Sequence, residues 1–284
     1  YNVETFNLVF NNLAESSEKY VRFIADVNFV DTSPLYSSGL VFKGNLQGNG
    51  MNINNLTVLS DQSVDIGLFK KLDNATVSNL LITVNTISGT SSNSVGGLAG
   101  KINKSTVNNI KILPYNQESS ISGYNITGGL AGTSTGESKI ANIISKVSIY
   151  STFDIVKGQV ECYYNFNDMN QNVSYAGGVI GVLTQESGFK TNKNNPSIVN
   201  CVTSGDVTIK AFVVGGVFGL VDTNIVVSSA KFVLNDEQNS QQKLEADNIA
   251  GGVVGENRGA VIYSYIAMSD SNQRQSDQEY NLTG

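Results

Sequence analysis

The side chains that could do chemistry in this 284-residue chain are few. Asp154, Glu161 and Asp168 fall within one short stretch and are the residue type that a glycosidase uses as an acid/base pair. Such carboxylates must face each other across roughly 5–9 Å, and nothing in the spacing of these three shows a facing pair. Cys162 and Cys201 are too few to hold a metal alone. They form either one disulfide in an oxidising environment or two unpaired thiols, and Cys201 sits at an apolar strand position, where cysteine behaves as a small hydrophobe. The chain has no histidine. That excludes Ser-His-Asp and Cys-His nucleophiles as usually built, histidine-containing zinc sites and imidazole bases. It also has no tryptophan, a favoured platform for stacking sugars. The acidic run SDSNQRQSDQE at 269–279 lacks the spacing of a calcium loop. The expectation is a protein that is not an enzyme and carries no cofactor and no metal.

One glycine-rich motif remains. NSVGGLAG at 93–100 comes back as ITGGLAG, YAGGVIG, VVGGVFG and IAGGVVG, with a degenerate earlier copy, DIGLFKKL. A phosphate-cradling loop normally occurs once, between a strand and a helix. This cassette recurs with no helix after it. Its second glycines are Gly97, Gly129, Gly178, Gly216 and Gly252, and with Gly67 of the degenerate copy the spacings by subtraction are 30, 32, 49, 38 and 36. A second feature keeps phase with the first. Asn79 and Asn109 follow their glycines by twelve residues and Asn142 by thirteen, while Asn200 follows by twenty-two across an insertion, ESGFKTNKNN. Ser228 and Ser264 hold the twelve-residue offset in the last two copies, and Asn55 has a similar setting upstream.

Between these markers lie β-branched runs of four to eight residues bounded by Asn, Gly and Ser, which is a strand signal. Helical periodicity is almost absent after residue 30. Short strands recurring about every 30 residues predict an all-β parallel β-helix, each coil stacked on the last at about 4.8 Å. About seven coils make a rod roughly 30–35 Å long. In that arrangement the paired glycines permit positive φ and close backbone approach at a corner. Val77, Val107, Ile140 and Ile198 stack in one inward file, and Leu80, Ile110, Ile143 and Cys201 in another. Asn55, Asn79, Asn109, Asn142 and Asn200 form an amide ladder at a turn.

Composition agrees. Charged residues make up only 15% of the chain, prolines number three and the net charge is −6, with a pI near 4.7. An acidic chain without a basic stripe is a poor nucleic-acid binder, and no segment has the roughly 18–20 apolar residues of a membrane span. Residues 1–30 differ from the rest. Val3, Phe6, Leu8, Val9, Phe10 and Leu13 suit a short amphipathic helix capping the stack ahead of the strand YVRFIADVNF. Residues 31–284 are then the repeats, and the ending EYNLTG matches GYNITGG at 123–129, as though the chain stops inside a repeat of a longer array.

VGGLAG, TGGLAG and AGGVIG, each followed by a strand with an Asn-Cys or Asn-hydrophobe step, resemble GLUG-type repeats, and YVRFIADVNF…LVFKGNLQGNGMNINNLTV resembles the segment that commonly precedes them. The resemblance covers nearly the whole chain. It implies a right-handed β-helix in an extracellular or cell-surface protein: an adhesin, a filamentous-haemagglutinin-like passenger, or the non-catalytic part of a streptococcal-type immunoglobulin A peptidase. It carries no catalytic residues.

The long insertion near 150–175 is the expected contact surface. From Asn142 to Gly178 is 36 residues, against 18 and 20 for the corresponding intervals of the two preceding coils. It holds Tyr150, Phe153, Tyr163, Tyr164, Phe166 and Tyr175, rings that either meet a protein or glycan or shield the side of the stack. Six sequons occur; Asn74, Asn103 and Asn172 read as open loop positions, whereas Asn55 belongs to the ladder. The reading is a non-enzymatic stalk, adhesive or assembly region of a surface protein, with a protein or glycan partner or self-assembly. The alternatives are an accessory module of a secreted peptidase or carbohydrate-active enzyme, and a structural filament subunit.

Overall fold

The computed structural model describes residues 4, 6, 9, 10, 19–29, 40–135, 137–152, 173–185, 196–235 and 240–268. Among these, every pairing between strands is parallel. A strand does not fold back on the one before it. It pairs with its equivalents one repeat earlier and one repeat later, as Thr106–Pro114 lies between Thr76–Gly89 and Lys139–Ser145. The product is a solenoid-like stack, an arrangement consistent with a parallel β-helix. One wall is a seven-stranded sheet running from Val41–Phe42 to Val254–Asn257, and a 19-stranded sheet wraps the remaining faces.

The two inward files read from sequence are present in register. Val77, Val107, Ile140 and Ile198 pair in order, extended to Val21 and Leu46 on one side and Val227 on the other. Leu80, Ile110, Ile143 and Cys201 pair likewise. All of these residues are buried. β-Branched side chains dominate because they pack well on a pleated surface with little rotamer freedom to lose.

The glycine corner differs from its expected cause in one respect. Among the described residues the glycines at positive φ are Gly50 and Gly205, and none belongs to the cassette. Close approach is the requirement. A Cβ on Gly216 would collide with the Gly252 carbonyl oxygen and with the Phe232 ring at 2.7 Å. On Gly215 it would meet the carbonyl of Phe218, three residues ahead. The first glycine, from Gly96 to Gly215, makes room both for its own turn and for the backbone of the next coil, and the second, from Gly97 to Gly216, for the next coil's glycine carbonyl and a side chain across the core.

Positive φ belongs to the asparagines. Asn79, Asn109, Asn142 and Asn200 have φ of 57°, 54°, 57° and 54°, the left-handed region that asparagine tolerates better than most residues. The register continues this file to Ser229 and Tyr263, at φ 57° and 50°, one residue away from the expected Ser228 and Ser264. Asn55 is left-handed too, at 58°, but it stands outside the ladder. Its backbone N–H donates to Thr83 Oγ1 at 3.0 Å, and Gly48 precedes Asn79 in the file instead.

The expected capping helix is not among the elements of the described residues. Of that segment Glu4, Phe6, Val9 and Phe10 are described, with helical backbone. The contribution visible there is aromatic. Phe6 and Phe10 stack at 4.3 Å between ring centres and reach Phe69 at 6.3 and 5.4 Å; Phe42 stacks on Phe69 at 5.3 Å. Rings of this size fill an end of the core that the narrower aliphatic files would leave open.

Candidate contact surface and the crease behind the glycine corner

Tyr150 lies on the strand Ser148–Ser151, half-buried, on the outward side, while Ile149 beside it is fully buried. Phe153, Tyr163, Tyr164 and Phe166 lie outside the described residues, as do Asp154, Cys162, Glu161, Asp168 and Asn172. Tyr175 does not belong to an open contact surface. It is 7% exposed and sits in a second, smaller apolar cluster with Val182, Val213 and Leu220.

This cluster follows from the glycine corner. Tyr175 approaches the corner at Gly177 and Val182 leaves it, and both side chains point away from the main core. Because the corner is tight, the two outward faces close on one another as a crease along the outside of the stack. Tyr175 pairs with Val213 and then Ile249 along one wall; Val182 pairs with Leu220 and then Glu256 along the other. The sequence places Tyr175 with the contact-surface aromatics and does not reveal the crease. The available signal was apolar residues at both outward positions flanking the glycine pair.

At the far end of the crease the Tyr175 hydroxyl donates to Glu256 Oε2 at 3.3 Å, across 81 residues of chain. Glu256 is 8% exposed. Arg258 donates to its Oε1 from Nη2 at 2.6 Å and from Nε at 2.7 Å. Burial works against the charge on Arg258, but the bonded Glu256 carboxylate outweighs it and holds the guanidinium above its usual pKa. A buried carboxylate needs such a partner. The near end is charged differently. Burial pushes the Asp65 carboxyl up, against the pull of Lys101, Lys70 and Lys71. Between the two ends, Ser94 and Thr133 share a hydrogen bond of 2.9 Å.

The asparagine file is a hydrogen-bonded face. Asn109 Nδ2 donates to Asn79 Oδ1 at 2.7 Å, Asn200 Nδ2 to Asn142 Oδ1 at 3.1 Å, and Asn79 Nδ2 to Gln47 Oε1 at 3.0 Å. Between Asn109 and Asn142 the ladder side-steps, with Asn142 Nδ2 donating to Asn108 Oδ1 at 2.8 Å.

Gly97, Gly129, Gly178, Gly216 and Gly252 are structural corners, as just described. Cys201 is a free thiol buried in the inward file, the unpaired one of the two alternatives read from sequence; Cys162 lies outside the described residues. Burial pushes the thiol up to about 12, which keeps it protonated and unreactive at neutral pH.

The sequons separate. Asn74 is exposed. Asn103 is not a free loop amide: its Nδ2 donates to Asp73 Oδ1 at 2.7 Å, and its sequon partner Ser105 is buried with its hydroxyl donated to the Asn103 carbonyl. That hydrogen bond is the main reason the Asp73 carboxyl lies below its ordinary range, with Lys71 adding to it. Among the described residues no three His, Cys, Asp or Glu side chains converge as a metal set, and no helix is long and apolar enough to cross a membrane. No protein-family model matches this chain, and no curated protein shows significant similarity to it.

Proposed function

We propose that the chain is a right-handed parallel β-helix of about seven coils, related to GLUG-type repeats, that serves outside the cell as the stalk or adhesive region of a larger surface protein. The observation that carries this reading is the unbroken register from Val21 to Val227, in which each coil extends the same inward file, with the left-handed turn repeated from Asn79 to Ser229 and the paired-glycine corner from Gly97 to Gly216. Such a stack spends its sequence on stiffness and regular surface rather than on convergent reactive groups. Stiffness sets reach, and the outward faces and insertions make contacts. The residues of the repeat specify a scaffold, so the partner is a matter for the outward positions, with the insertion near 150–175 as the leading address.

Beads coated with residues 1–284 should adhere to host cells or to immobilised extracellular-matrix proteins above beads coated with an unrelated acidic protein. Removing residues 153–172 should lower that adhesion at least several-fold. Equal adhesion by both kinds of bead would refute the adhesive reading. Adhesion untouched by the deletion would refute the address.

A further inference from the structure

One outward face of the stack is a regular field of hydroxyls. Thr57, Thr86, Ser120 and Ser148 pair in order along one file. Thr208 continues it, its backbone N–H donating to Ser148 Oγ at 3.1 Å. Two residues further along the same strands, Ser88, Ser122 and Tyr150 pair in a second file on the same side. All eight are half-buried, while Ile87, Ile121 and Ile149 between the files point into the core. Pleat geometry sets the files about 7 Å apart and the rows about 4.8 Å apart.

We infer that this face binds a neutral polysaccharide laid across the hydroxyl files, with Tyr150 as its aromatic platform. The inference rests on the adhesive reading above and names the chemistry of the partner. Two facts exclude other partners. The inner strands of the face are paired on both sides, as Ser120–Gly123 is between Thr76–Gly89 and Ser148–Ser151, so they offer no free backbone edge to a peptide strand. The two files carry no charge until Lys243 and Lys210, the latter 3.9 Å from Glu245, and the turns beside the first file mix signs, with Glu118 and Asp206 exposed as well as Lys146; nucleic acid or an acidic polymer would find no cationic row.

What the face offers is hydroxyls able both to donate and to accept, and one ring with an apolar side. Among the described residues the hydroxyls of Thr86, Ser120 and Thr208 take no protein partner, in contrast to the asparagine face, which spends its amides on itself. A neutral sugar polymer presents the matching set, hydroxyls of both kinds and C–H faces.

Affinity electrophoresis of residues 1–284 through native gels containing laminarin, galactomannan or polygalacturonate tests this. At least one neutral polymer should retard the chain, and polygalacturonate should not. Ser120→Lys and Tyr150→Ala should each weaken the retardation at least tenfold in apparent Kd. Tyr20→Ala, a change at an exposed tyrosine on the strand Tyr20–Arg22, should leave it unaltered. Circular dichroism of each variant separates lost binding from lost fold, and Thr86→Glu gives a second surface change if Ser120→Lys misfolds. Retardation that survives both face variants would overturn the inference and leave an adhesive stack that binds elsewhere. No retardation by either neutral polymer would overturn it as well, and the bead assay then decides the adhesive reading by itself.

Discussion

The two kinds of corner in this stack solve one problem by opposite means. At the glycine corner the backbone keeps ordinary φ, and the side chain is what must go: the next coil's carbonyl and a core residue such as Phe232 occupy the space of a Cβ. At the asparagine corner there is room for a side chain, and the backbone conformation is what must be tolerated, at φ between 54° and 57°. The glycine corner closes into a crease lined by the apolar cluster of Tyr175, Val182, Val213 and Leu220, with its polar groups toward the two ends. The asparagine corner leaves a row of amides that bond along the stack. Glycine at one and asparagine at the other are therefore not interchangeable turn residues, although both are turn formers.

The largest effect should come from breaking the first corner. Gly216→Ala forces a Cβ into the Gly252 carbonyl and the Phe232 ring, and should cost about 3 kcal/mol or more in chemical denaturation. A cost under about 1 kcal/mol would mean the coils can shift apart and that close approach is not the requirement. The second corner should respond less, and selectively. Asn109→Ala loses both left-handed tolerance and the bond to Asn79, about 2 kcal/mol, whereas Asn109→Gly keeps the conformation and should lose under about 1 kcal/mol. Equal losses for the two substitutions would show that the amide bond, not φ, selects asparagine.

The crease behind the glycine corner offers a smaller test. Tyr175→Phe removes only the hydroxyl that reaches Glu256 and should cost about 1 kcal/mol, with hydrogen exchange quickening around Val254–Asn257. Unchanged exchange there would mean that apolar packing alone holds the crease. The smallest effect is at the other end. Because burial raises the folded pKa of Asp65 above its unfolded value, ionising it costs stability. That cost is absent below the unfolded carboxylate range and grows as pH rises through it to the folded pKa. Asp65→Asn should match the parent chain in Tm at low pH and exceed it slightly at neutral pH. A Tm difference that stays constant across pH would assign the effect to something other than ionisation.

The inward files, the repeated corners and most of the asparagine ladder were legible in the sequence because each depends on a local property repeated in phase. The ladder's last members were not. Ser229 and Tyr263 hold the left-handed positions rather than Ser228 and Ser264, because the residue that turns is set by pairing with the coil beneath and not by distance from the previous glycine. Asn55 carries the same residue type in a similar local setting and still falls outside the file for the same reason. Of the contact surface, sequence singled out the aromatic residues, and the structure separates two of them. Tyr150 keeps an outward place beside hydroxyl files that no motif announces, while Tyr175 turns into a crease and reaches Glu256, 81 residues away.

What the sequence determined by itself is the repeat and its chemistry: where a Cβ is absent, where an asparagine can turn left-handed, and which positions alternate inward. These are properties of single residues and their immediate neighbours. Only the tertiary structure decided which outward side chains meet, because an outward position on one strand is exposed or buried according to the angle of the corner that follows it. That angle is set by the coils above and below, and no single repeat contains it.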